Sequence, residues 1–96
     1  MDLNVTQAMW FMVEKLVRMN KWGGAHTELR NLTKGMPSHF TQSRDGKRVI
    51  EKALKELTRS KFLLSKTSTG EIHVSLNQRK AKEILQFYEK NVSLKQ

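Results

Sequence analysis

Four cations in the middle of the chain share one helical spacing. Arg48, Lys52, Lys55 and Arg59 follow one another at i, i+4, i+7 and i+11. At 3.6 residues per turn that spacing lines their charges along one stripe, and an aligned cationic stripe is suited to holding a polyanion. Just upstream, His39, Gln42, Ser43 and Arg44 would lie beside the N-terminus of the same helix, where backbone N–H groups favour phosphate. A polar connector accounts for those four residues equally well. No catalytic constellation accompanies them. His26, His39 and His73 lack metal-ligand spacing, the chain has no cysteine, and Gly46-Lys47 lacks the flanking glycines of a phosphate-binding loop. The carboxylates fall mostly four residues from a lysine, as Glu56 does from Lys52, which reads as surface pairing. The expectation is a binding protein without cofactor or metal, and not an enzyme.

The elements that must carry the stripe are legible around it. Ile50, Ala53, Leu54 and Leu57 recur at i, i+3, i+4 and i+7, so a helix over residues 46–60 buries an aliphatic face and turns the basic one outward. After Arg59 the period changes to two. Phe62 and Leu64, then Ile72, Val74 and Leu76, alternate with polar residues, and Thr67-Ser68-Thr69-Gly70 between them is turn chemistry. An antiparallel hairpin over 61–76 is expected, its tip between Lys66 and Gly70, with His73 pointing to solvent.

A first helix is expected over 5–20, capped by Asn4 or Thr6 and stopped by Gly23-Gly24. Met9, Met12, Val13 and Leu16 form its core stripe, while Trp10, Phe11, Val17 and Met19 lie off it. Such a helix is buried on two sides, by another helix or by a second chain. A short second helix over 27–34 is capped by Thr27, and Ala25 is placed to add a third strand. Pro37 opens a single turn that tucks Phe40 onto the core, and Ser43 or Asp45 caps the basic helix. Asn77 caps a last helix over 78–91 with Ala81, Ile84, Leu85, Tyr88 and Val92 on its apolar stripe. The tail from about Ser93 is expected to fray.

Composition bounds the rest. Ninety-six residues suit one domain with a modest core. Eighteen Lys and Arg against nine Asp and Glu give a net charge of +9. From Arg44 to Lys66 there are eight basic residues against three acidic ones, over half of that net charge on under a quarter of the chain. A solvated basic face is the plain alternative to a polyanion site. No apolar run is long enough for a membrane span, and the N-terminus lacks a signal peptide's basic start, so the expected location is the cytoplasm, or the nucleoid if DNA is the partner.

The order helix, helix, basic helix, strand, turn, strand resembles the winged helix-turn-helix superfamily of DNA-binding proteins over nearly the whole chain. Within it, the runs Gly24 to Leu32 (GAHTELRNL) and Thr69 to Asn77 (TGEIHVSLN) resemble small uncharacterised winged-helix proteins of archaea. The resemblance implies an α+β, mainly α fold: a three-helix core, a β-hairpin wing and an extra C-terminal helix. It implies double-stranded DNA as partner, with residues 46–60 in the major groove and the wing on the adjacent backbone. On that basis Arg48 is the candidate for a guanine edge, with Lys47 and Lys52 flanking it. Lys55, Arg59 and Lys66 are candidates for phosphates, with Gln42, Ser43 and Arg44 beside them. The expected role is that of a transcriptional regulator or chromatin-associated factor, with a homodimer through the first and last helices as a further expectation. Two departures stand out: the loop before the basic helix is long, and the wing is short. The other readings left open are a protein-interaction module using the apolar first helix, and a structured-RNA binder.

Overall fold

A computed structural model describes residues 2–95. It is a mainly helical α+β domain with a small antiparallel sheet. The first helix, α1 (Leu3–Arg18), starts two residues earlier than its periodicity suggested, because Asp2 is the cap: its carboxylate accepts from the Asn4 N–H at 2.9 Å. The glycine pair does not stop this helix. Asn20 does, at φ 55°, with its own N–H bonded to the Val17 carbonyl and that of Lys21 to Leu16, a left-handed ending that satisfies two orphan carbonyls.

The expected second helix is absent. Thr27–Glu28 forms strand β1, and Leu29–Leu32 is a single 3-10 turn that sinks Leu32 into the core. Thr27 does not cap; its backbone is committed to the sheet and its hydroxyl accepts from the Asn31 amide at 2.9 Å. Thr27–Glu28 is also the third strand, in place of Ala25, which stays exposed. Just ahead of it, Lys21 and Gly23 exchange backbone hydrogen bonds with Leu76, extending cover along the same sheet edge.

Helix α2 (Ser38–Thr41) is the single turn that Pro37 opens, and Phe40 is fully buried against Phe11. The basic helix α3 runs Arg44–Arg59. Its cap is Ser43, whose Oγ accepts from the Gly46 N–H at 2.9 Å while donating to the His39 carbonyl at 3.1 Å. That chain of bonds pulls α2 onto the first turn of α3. A Cβ on Gly46 would lie 2.2 Å from the His39 carbonyl oxygen and 2.5 Å from that of Phe40. Only glycine allows the crossing.

Strands β2 (Leu63–Ser68) and β3 (Glu71–Leu76) pair with β1 in the order β1-β3-β2, all antiparallel. The turn is two residues, Thr69 at φ 50° and Gly70 at φ 81°, the left-handed pair that matches strand twist. It is shorter than the expected 67–70 turn. The inward set also differs. Leu63, Val74 and Leu76 are buried, whereas Leu64 and Ile72 are 41% and 48% exposed. Lys61 ends α3 in the left-handed region at φ 66°, after which Phe62 packs against the core ahead of the strand and β2 begins with Leu63 inward, so that alternation turns Leu64 outward. Ile72 keeps its expected face but lies beyond the edge of the core, beside the turn.

The chain closes through Asn77, which caps a 3-10 turn over Gln78–Lys80 leading into α4 (Ala81–Lys90). This helix lies on α1. Trp10, only 1% exposed, stacks on Tyr88 at 5.4 Å and donates its indole N–H to the Tyr88 carbonyl at 2.9 Å. Ile84 is buried, and Phe87 meets Phe62 edge-on from the hairpin side. Contact from those two directions rotates the buried stripe and leaves Leu85 exposed, while Val92 is exposed because the helix has already ended. The two apolar helices therefore pack on each other within one chain. The tail is docked too: Gln7 donates to the Leu94 carbonyl at 2.7 Å from a turn over Val92–Lys95.

Two substitutions test this backbone reading in opposite directions. Gly46→Ala gains about 1 kcal/mol of helix propensity but forces α2 away, and a net loss of at least ~2 kcal/mol is expected in urea unfolding. Lys61→Gly relieves a side chain held at positive φ and is expected to stabilise by about 0.5–1 kcal/mol by the same measurement.

Candidate nucleic-acid interface

Helix α3 is organised by its core contacts. Gly46, Ile50, Ala53 and Leu57 are its buried residues, and α1 is its main packing partner. At 100° per residue, Arg44, Arg48, Lys52, Lys55 and Arg59 occupy an arc of about 80° centred opposite that buried set. All five are exposed. From Arg44 to Arg59 the stripe extends ~22 Å along the helix axis. The 3.6-residue period that buries one face thus forces the cations onto the other.

Not every predicted residue is equally available there. Lys47 is exposed but falls on the flank of the stripe, above Ile50. Arg59 is engaged by Glu56, one guanidinium nitrogen lying 2.7 Å from each carboxylate oxygen. The expected partner of Glu56 was Lys52; the half-buried carboxylate instead takes the arginine one turn on. Among the described residues, Arg44, Lys47, Arg48, Lys52 and Lys55 have no carboxylate within ion-pair distance. Ser43 is exposed at the helix start, yet its hydroxyl both accepts and donates in the α2–α3 crossing. Its role is structural first. Gln42 and Arg44 flank it on the surface, and the exposed His39 ring packs on Phe40 at 4.1 Å.

Lys66 is not at the hairpin tip. It lies three residues before the turn and pairs across strands with His73, on the sheet face turned away from the core. There the structure gathers a group that the sequence reading missed. His26 and His73 approach with their Nδ1 atoms 2.9 Å apart and their rings nearly perpendicular, beside a cleft of about 340 Å³ that Lys66 also lines. His73 is half-buried, not the free strand histidine expected. Its position was legible in one respect: Lys66 and His73 stand equally far from Thr69-Gly70, so a two-residue turn pairs them, whereas a four-residue turn sets Lys66 against Glu71.

No family model, curated protein or solved structure matches the chain. The site is therefore read from its own geometry. Among the described residues no group of three or more His, Cys, Asp or Glu side chains could hold a metal ion, and no helix is long and apolar enough to cross a membrane.

Burial in the cleft, then the Lys66 ammonium, the His73 ring and Lys21, hold the His26 imidazole below its ordinary range. The sign of the consequence follows. The unfolded chain protonates His26 before the folded one does, so stability present above the ordinary imidazole pKa of ~6.5 is lost as pH falls through and below it. Melting curves between about pH 7.5 and 5 should show a drop in Tm that His26→Gln makes shallower; identical slopes in the two proteins would show that His26 carries none of it.

Proposed function

We propose that this protein is a DNA-binding domain of the winged-helix kind, with α3 as the helix that meets double-stranded DNA. One observation carries the reading. Helix α3 presents five cations on its exposed face, and four of them have no carboxylate partner among the described residues. Uncompensated cations brought together on a rigid helix repel one another, and a phosphate backbone relieves that repulsion while releasing its own counterions.

The element order supports the same reading: α1, a strand, a short helical turn, α2 crossing the start of α3, then the β2–β3 hairpin. Helix α2 is only one turn long, so it would contact little backbone itself and serves to fix α3 through Gly46 and Ser43. Arg48 is the residue proposed for a base edge, because its planar fork matches guanine and it has no carboxylate partner in this structure. Lys52 flanks it, and Arg44 and Lys55 are placed for phosphates; Arg59 contributes less because Glu56 already holds it. A regulatory or chromatin-associated role is the corresponding cellular proposal. The protein-interaction reading loses its main support, since α4 covers the apolar side of α1.

Fluorescence anisotropy with a labelled duplex of about 25 base pairs, across a salt series, tests the proposal. Binding should weaken steeply with salt. An Arg48→Ala, Lys52→Ala double variant should lower the log–log slope by about 0.9, the loss of one phosphate contact at Lys52, and the loss of the Arg48 base contact should show as relaxed sequence preference. Native protein that fails to bind at low salt would overturn the reading, and preference for an A-form RNA duplex would move it to RNA.

A further inference from the structure

The sheet face turned away from the core is built differently from α3. Strand pairing sets Leu64 opposite Ser75, and Lys66 opposite His73, with Glu28 completing that second row from β1. His26 closes the first row, and Gly23 and Gly24 wall the cleft from the side. The Ser75 hydroxyl donates to the Gly23 carbonyl at 2.7 Å and fixes that wall. The cleft's volume of about 340 Å³ is within the range that small ligands occupy. Its lining has two characters. Leu64, 41% exposed, is an aliphatic side chain on the outer face of the sheet. His26, His73 and Lys66 line the same cleft with nitrogen groups.

The Nδ1 contact between the two rings holds a single proton, donated by one and accepted by the other. Each ring still has its Nε2 for an outside group, and the pair can take up one further proton. The charges around it are mostly positive. Lys66 and Lys21 act on His26 directly. Of the nearby carboxylates, Glu28 is held by Arg30, and Glu71 lies one row further towards the turn, opposite Ser68. Two imidazoles able to gain a proton, with two ammonium groups near them, disfavour a cation and favour an anion. We propose that this cleft binds a phosphate ester, its phosphate held by Lys66 and the His26–His73 pair and its organic part resting on Leu64. The site is separate from the α3 stripe and stands whether or not that helix meets DNA. The ester is either a free nucleotide or a backbone phosphate of a bound nucleic acid.

Histidine side-chain NMR on the full chain tests it. At constant ionic strength, inorganic phosphate should shift the His26 and His73 ring signals saturably, with chloride as the control that does not. Lys66→Gln, an exposed change that should leave the melting temperature where it is, should weaken that binding at least ~10-fold. Sulfate has the same shape and a charge that is constant across the range, so it isolates the proton of the pair. It should bind up to ~10-fold tighter per pH unit as pH falls from about 7.5 to 6. Tighter binding of 5′-AMP than of phosphate, lost in Lys66→Gln, assigns a free ester; loss of duplex affinity in Lys66→Gln, with α3 intact, assigns the nucleic-acid backbone. Phosphate shifts no larger than those of chloride overturn the proposal, as does binding of the inorganic ion only, with neither AMP nor duplex sensitive to Lys66. The α3 double variant reads the helix separately, so failure of one site does not register as failure of the other.

Discussion

Burial of α1 on two sides is the constraint from which the rest of the structure follows. Val5, Ala8, Met9, Trp10, Met12, Val13 and Leu16 are all buried, and they meet α3 and the sheet on one side and α4 on the other. A chain of this length has apolar surface for one modest core, and here α1 is its axis. The Trp10 indole shows how the second side is fixed: a large ring cannot be buried without satisfying its N–H, and the Tyr88 carbonyl does so while the rings stack. With α1 supplying the centre, α3 has to bury only one narrow face. Its opposite face is then free to carry charge that no core helix could bear.

That division of labour also explains the small residues at the α2–α3 junction. A short α2 has little apolar surface with which to hold itself, so it is fixed by close approach, through the missing side chain of Gly46 and the two hydrogen bonds of Ser43. The price is a glycine inside a helix. The benefit is that the start of α3 is anchored beside its first exposed cations, Arg44, Lys47 and Arg48, so that they project from a defined backbone and not from a frayed end.

Charge is distributed over two separate surfaces with different chemistry. The α3 stripe is long, exposed and permanently cationic, the form suited to an extended polyanion. The sheet cleft is small and partly apolar, and its charge depends on histidine protonation, the form suited to a compact anionic group. Both lie on a domain measuring 31 × 31 × 22 Å, so a single polyanion of modest length is able to reach either.

Periodicity alone determined α3, α1 and the existence of the hairpin, because each depends on spacing within a continuous run. It also determined that Arg48, Lys52, Lys55 and Arg59 share an exposed face, since a helix that buries Ile50, Ala53 and Leu57 has no other place for them. The tertiary structure decided what depends on partners distant in sequence. Thr27 became a strand residue because Val74 was there to pair with it, against its local preference to cap a helix. Leu64 faces outward because the strand begins at Leu63, which pairs with Leu76 over the core, and alternate residues of a strand point to opposite faces. Phe87 is half-buried because Phe62 from the hairpin side meets it edge-on, a contact between residues distant in sequence. The His26–His73–Lys66 group arises from the same cause: its members lie 47 residues apart at the extreme, and only a strand register brings the two rings within hydrogen-bond distance and sets Lys66 opposite His73.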